Sequence, residues 1–195
     1  ASVLRGLKRL REAEVSVNAL TVVNSLNVDR AAETYNYIKK ELGFRFHQYI
    51  PLVEWDEDGN LLPFAITGEQ WGHFLNELFD AWYPADRRRV SVRLFDSLLQ
   101  LLALGGYAQC TMAGHCSSYL VVEHDGTIYP CDFYVEPELR LGSVHAAGLQ
   151  GARHSPVESR FAAQKNRWPE ACTRCPYLAF CSGDCPRFRR GGEPS

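Results

Sequence analysis

The 195-residue sequence contains no apolar run approaching the ~20 residues that a membrane-spanning helix requires. Its opening stretch, Ala-Ser-Val-Leu-Arg-Gly-Leu-Lys-Arg-Leu, lacks the apolar core and cleavage site of a secretory signal. There is no excess of charge: 21 basic against 23 acidic residues leave a formal net charge of −2, which gives no electrostatic case for nucleic acid or an anionic membrane as partner. None of the histidines (His47, His73, His115, His124, His145, His154) pairs with another at i, i+4, so they read as packing or surface groups rather than helix-borne metal ligands. His115 is the exception to watch, because it adjoins Cys116 and could replace a thiolate. No internal repeat or low-complexity segment occurs, and Gly59 and Gly126 are turn glycines, not phosphate cradles. What remains is an ordinary globular composition, 46% hydrophobic, long enough to bury a core in one large or two small domains. The expected home is a reducing cytoplasm.

Taken in order, the chain alternates helices and apolar strands. Val3, Leu4, Leu7 and Leu10 recur at helical spacing opposite Arg5, Lys8, Arg9 and Arg11, predicting an amphipathic helix. A start on a helix with no strand before it hints at a missing upstream segment. Val15 to Val23 is β-branched and reads as a buried parallel strand. A polar turn, Asn24 to Asp29, leads to a helix with Ala31, Tyr35, Ile38 and Leu42 on one face and Gly43 at its C′ position. Phe46 to Val53 is a second strand, and residues 54–66 form an acidic excursion turning at Asp58-Gly59 or Gly59-Asn60. Thr67-Gly-Glu-Gln70 has capping-box form. It opens a helix whose Trp71, Phe74, Leu75, Leu78, Phe79 and Trp82 form a core stripe, with Pro84 closing it. Val90 to Leu94 reads as a third strand and Asp96 to Leu104 as a short helix. This is the grammar of an α/β layer or barrel. Gly105-Gly106 mark a boundary, so domains over 1–105 and 106–195 are expected.

Beyond that boundary, seven cysteines form an interlocking pattern: Cys110-x5-Cys116-x14-Cys131, then Cys172-x2-Cys175-x5-Cys181-x3-Cys185. Tyr119 to Glu123 and Thr127 to Pro130 flank His124-Asp125-Gly126, a β-hairpin that returns Cys131 towards Cys116. Leu141-Gly142 turns the chain again. Ser155, Pro156 and Glu158 predict a capped helix over Ser155 to Arg167 that delivers the chain to Cys172. Arg187 to Arg190 read as a solvated basic run. Closely spaced thiolates can converge on a soft metal centre. Disulfides are the alternative, but they need an oxidising compartment and usually an even count. Two Cys pairs could also close a tetrahedral zinc site, making the chain a structural or peptide-binding module.

The cysteine spacing, the hairpin Glu123-His-Asp-Gly-Thr-Ile-Tyr-Pro-Cys131-Asp132-Phe133 and Leu141-Gly142 closely resemble the auxiliary-cluster (SPASM) domain of anaerobic sulfatase-maturating enzymes, which are radical S-adenosylmethionine (SAM) proteins. Asn18-Ala-Leu-Thr-Val-Val-Asn24 and Gln48-Tyr-Ile-Pro51 look like late strands of that family's partial (β/α)6 barrel. The resemblance implies an α/β fold: the C-terminal part of such a barrel, followed by a small α+β SPASM domain. It implies oxidation of a sulfatase cysteine or serine to Cα-formylglycine, with a reductant such as ferredoxin or flavodoxin. By position, Cys110, Cys116, Cys131 and Cys185 would hold one auxiliary 4Fe-4S cluster, and Cys172, Cys175 and Cys181 would give three ligands to a second. Asp132 would be the proton acceptor, and Ile50, near the C-terminal end of its strand, would either touch SAM or pack in the core. A different radical SAM peptide modifier shares the same auxiliary domain.

Two departures stand out. The family's radical cluster needs Cys-x3-Cys-x2-Cys, which this sequence lacks, and an eighth auxiliary cysteine is expected beyond the run ending at Cys185. Both imply a piece trimmed at each end, without turnover on its own, prone to self-association through exposed strand edge, and open to zinc when handled in air.

Overall fold

The computed structural model describes residues 2–189; Ala1 and residues 190–195, including Arg190 of the basic run, fall outside the description. The chain divides into two compact units, residues 1–99 and 100–195.

The first unit is a βαβαβ layer. Helix α1 (Ser2–Glu12) precedes β1 (Ala19–Val23), and α2 (Ala31–Asn36) runs into one π-helical turn (Tyr37–Glu41) before β2 (Phe46–Pro51). Helix α3 (Gly68–Asp86), β3 (Ser91–Val92) and the start of α4 (Arg93–Leu104) complete it; the boundary between the units falls within α4. The three strands lie in the order β1-β2-β3, all parallel, with register from Ala19 opposite His47 to Val23 opposite Pro51. Gly43, at φ +65°, takes the left-handed conformation that ends the second helix, as its spacing predicts.

The core joins one sheet face to two helices. Val23, Tyr49 and Val92 from the strands meet Tyr35 and Ile38 from α2 and its extension, and Phe74, Leu78 and Trp82 from α3. The last three recur every four residues, the spacing that places side chains on one helical stripe. Each such buried side chain contributes roughly 1.5–3 kcal/mol. Trp82 also donates from Nε1 to the Val90 carbonyl at 2.7 Å, so its polar edge is satisfied inside the core. The capping box at Thr67 is present in full: Thr67 Oγ1 accepts from the Gln70 amide, and Gln70 Oε1 accepts from the Thr67 amide.

Three boundaries and the burial of one strand depart from the sequence-based expectations. The first strand begins at Ala19, not Val15, because the chain leaves α1 through a left-handed residue, Glu14, and the Val15 amide turns back to the Leu10 carbonyl. It is also covered on one face only: Leu20 and Val22 are 60% and 43% exposed, because the helical core lies on the Val23 and Tyr49 side. Pro84 does not close α3. The helix continues to Asp86, whose carboxylate is held by Tyr35 and Lys39, while Arg87 donates to the carbonyls of Tyr83 and Pro84. The third strand is only Ser91–Val92, since Arg93 already begins α4.

The second unit centres on a small antiparallel sheet in the order β4 (Val121–Val122), β5 (Thr127–Tyr129), β6 (Gly142–Ser143). The hairpin turn at His124-Asp125-Gly126 forms as expected. The Gly126 amide donates to the Glu123 carbonyl, Asp125 Oδ1 accepts from the Thr127 amide at 2.8 Å, and Gly126 has φ +82°. Leu141-Gly142 is more than a turn, because Gly142 pairs with Ile128 as the third strand. Helices α5 (Gly148–Arg153) and α6 (Pro156–Ala163) follow, the latter capped by Ser155 and giving way to a 3-10 turn at Gln164–Asn166. Two single-turn helices, α7 (Glu170–Thr173) and α8 (Leu178–Cys181), bring the chain to its final cysteine. Among the described residues no helix is long and apolar enough to cross a membrane.

Candidate metal centre

Every cysteine is a free thiol, and each is placed by a local device. Cys110 opens a 3-10 turn, Cys110–Met112. The Cys116 amide donates to the Ala162 carbonyl, tying its loop to the end of α6. Cys131 follows β5 and accepts, through its carbonyl, a turn bond from the Tyr134 amide at 3.1 Å. Cys172 is buried in α7, and the Cys175 amide donates back to its carbonyl. Cys181 ends α8, four residues before Cys185.

Between Cys181 and Cys185 the chain makes a left-handed turn. Ser182, Gly183 and Asp184 have φ of 47°, 70° and 51° in succession. Only glycine adopts that conformation without cost; an L-residue there loses roughly 1–2 kcal/mol. The compensation is cationic. Arg189 donates to the carbonyls of Ser182, Gly183 and Asp184, and further to those of Lys165 and Arg167. Trp168 Nε1 also donates to the Ser182 carbonyl, at 3.2 Å. Arg189 is thus an internal strap, not part of a solvated basic face.

Two thiol neighbourhoods result. The Cys116 thiol is raised mainly by burial, with Lys165 opposing and the neighbouring Cys110 adding. Burial likewise pushes Cys185 up to about 12, with Asp184 and Cys131 adding. Tyr134, raised by burial to about 12, feels Cys185, Cys116 and Cys131 together. These relations gather Cys110, Cys116, Cys131 and Cys185. Cys172, raised by burial, feels Cys181 and Cys175 instead. Among the described residues no three His, Cys, Asp or Glu side chains form a ready site for a metal ion. The thiols thus interact electrostatically in two sets, without converging on a point.

Asp132 lies beside the first group and is exposed. Tyr119 donates to its Oδ1 at 2.7 Å, and the Cys131 thiol approaches the same oxygen at 3.4 Å. Burial works to raise this carboxyl, but those hydrogen bonds outweigh it and hold it below the usual carboxylate range. Ile50 sits near the end of β2 on the sheet face that the core leaves bare, in register with Val22. His115 is exposed.

Sequence reading missed one residue of this region. Lys165 is 1% exposed, and its Nζ donates to the carbonyls of Cys110, Thr111 and Asp184 at 3.3, 2.8 and 2.8 Å. Its being the sole lysine after residue 100 was the available signal.

Residues 110–176 match SPASM, an iron-sulfur cluster-binding domain; the match takes in five of the seven cysteines and ends before Cys181 and Cys185. The chain is 34% identical over 212 residues to a serine-type anaerobic sulfatase-maturating enzyme of Bacteroides thetaiotaomicron, covering 98% of this chain and 51% of that protein. It is 33% identical over 199 residues to a cysteine-type anaerobic sulfatase-maturating enzyme of Clostridium perfringens, covering 100% and 53%. Among solved structures, native anSMEcpe with bound AdoMet and Kp18Cys peptide superposes with a TM-score of 0.83 at 34% identity, over 95% of this chain and 52% of that one. The mixed α/β fold matches the C-terminal part of such structures. The chain spans about half the length of the curated relatives it matches. The donor chemistry fits the group that this domain binds: the thiols are uncrosslinked and soft, and each iron of a cluster takes one thiolate.

Proposed function

From a chain that is, over nearly its whole length, a homologue of the anaerobic sulfatase-maturating enzymes and carries a SPASM iron-sulfur cluster-binding domain, we propose one half of a radical SAM oxidoreductase that converts a cysteine or serine of a sulfatase to Cα-formylglycine. Cys110, Cys116, Cys131 and Cys185 hold one auxiliary 4Fe-4S cluster, and Cys172, Cys175 and Cys181 supply three ligands to a second. When bound, SAM and the clusters supply the hydrogen-abstracting radical and an electron sink. The protein's own residues position the target and take its proton.

The observation that carries this reading is the placing of Asp132. It is an exposed carboxylate held ionised beside the first thiol group, with Oδ1 anchored by Tyr119. An ionised carboxylate there can accept the proton that the target thiol or hydroxyl gives up as oxidation acidifies it. Ile50, on the open sheet face, contacts SAM. The substrate is a sulfatase polypeptide segment, the reductant is a ferredoxin or flavodoxin, and the compartment is the cytoplasm.

The test is a chimera in which this chain replaces the corresponding half of the Clostridium perfringens relative. Given SAM, a reductant and a sulfatase peptide without oxygen, it is expected to form formylglycine, measured by mass change of the peptide. This chain alone, which lacks Cys-x3-Cys-x2-Cys, is expected to form none. A chimera that folds and binds its clusters but leaves the peptide unchanged contradicts the proposal.

A further inference from the structure

Lys165 makes three hydrogen bonds to three backbone carbonyls from a position closed to water. Three donated bonds use all three hydrogens of an ammonium, and a neutral amine has only two. Three acceptors match the three hydrogens of the ammonium; burial works against that charge, while Cys116 and Asp184 support it. Its acceptors come from two separate stretches. Cys110 and Thr111 belong to the turn that carries the first cysteine, and Asp184 closes the left-handed turn and precedes Cys185. Those two cysteines are 75 residues apart in sequence (185 − 110). Arg189, which accompanies Lys165 on the Asp184 carbonyl, donates to the Lys165 carbonyl as well, so the two cations brace one another's positions through the backbone.

We infer that Lys165 is the positioning residue of the first thiol group: it ties the Cys110 turn to the Cys185 turn, and its buried charge favours the reduced state of the cluster those thiolates hold. The inference rests on the cluster assignment above. A thiolate-bound cluster becomes more negative on reduction, and a fixed cation in a low-dielectric surround stabilises that added charge. Potentials of such clusters respond to nearby net charge and hydrogen bonding. An apolar side chain at position 165 would take this donor from all three carbonyls, and hydrogen bonds to charged groups are the stronger kind.

The experiment uses this chain, reconstituted with iron and sulfide without oxygen, as parent and as Lys165→Gln, Lys165→Arg and Lys165→Met. The affected couple is identified as the one lost in Cys131→Ser. Lys165→Gln keeps two donors and loses the charge. At a fixed redox poise its reduced-to-oxidised ratio is expected to fall about tenfold, equivalent to 59 mV for a one-electron couple. Lys165→Arg is expected to stay within about threefold of the parent, and Lys165→Met to lose iron and sulfide from the first site. An unchanged ratio in Lys165→Gln at parental iron content overturns the inference. Should the neutral variants fail to fold, the unaltered chain labelled with nitrogen-15 lysine carries the test: spin-echo modulation from one nitrogen on the reduced first cluster supports the inference, and its absence overturns it. Failure of the parent to bind iron at all would instead defeat the cluster assignment, which separates the two claims.

Discussion

The hydroxyl of Tyr119 donates to Oδ1 of Asp132 at 2.7 Å, twelve residues before Cys131 and across the hairpin from it. The tyrosine fixes the carboxylate next to the first thiol group, and the hairpin fixes the tyrosine. In the chimera described above, Asp132→Asn is expected to lower formylglycine formation at least about 10²-fold, the lower range for loss of a general base. Tyr119→Phe is expected to lower it less, because the carboxylate survives without its anchor. Iron content should be unchanged in both. Peptide mass spectrometry and iron analysis check the pair, and full activity in Asp132→Asn would remove Asp132 from the proposed role.

The left-handed turn before Cys185 makes a second prediction. At Gly183 a Cβ would stand 2.9 Å from both Arg189 Nη2 and Trp168 Cδ1, and φ is +70°. Gly183→Ala therefore combines backbone strain with displacement of the arginine that donates to this turn. A loss of about 1–2 kcal/mol from strain alone is expected, with a further loss from the displaced strap, measured by urea unfolding. A variant as stable as the parent would show that the turn relaxes at little cost.

Much of the fold was legible locally. The capping box at Thr67, the glycine at position 43 and the hairpin turn at Gly126 each depend on contacts within a few residues, so the sequence carries their whole physical cause. The length of α3 was not legible, because Pro84 signals a stop while the reason for continuing, Tyr35 and Lys39 on Asp86, comes from some fifty residues away. Arg189 was misread as solvated, and Lys165 was missed, for the same reason. A long cationic side chain reads as solvated unless its carbonyl acceptors are known, and those here come partly from a left-handed turn that only Gly183 foreshadows and partly from distant stretches of the chain. The division of the thiols into two ligand sets is an expectation from the resemblance alone, whereas the buried cation beside them could be found only in three dimensions.

A pH prediction comes from the first unit. His47 is buried, with Nε2 3.1 Å from the Phe44 carbonyl and Nδ1 3.1 Å from the Tyr49 hydroxyl. The pair fits a neutral ring that donates to the carbonyl and accepts from the tyrosine. Burial lowers its pKa below the unfolded value near 6.5, the Phe44 carbonyl opposing and Lys39 adding. The unfolded chain then binds a proton that the folded one refuses, so this contribution to stability is complete above about pH 6.5 and declines as pH falls towards the folded value. Urea unfolding from pH 8 to pH 5 should show the decline, and His47→Gln should flatten it. An equally steep decline in His47→Gln would assign it elsewhere.

The most direct test of the account is iron and acid-labile sulfide analysis of this chain after anaerobic reconstitution, for the parent and for Cys131→Ser. The account predicts a brown protein carrying at least one 4Fe-4S cluster, with iron and sulfide falling together when Cys131 is replaced. A colourless protein that holds zinc in place of iron, or iron and sulfide that do not change in Cys131→Ser, would contradict it.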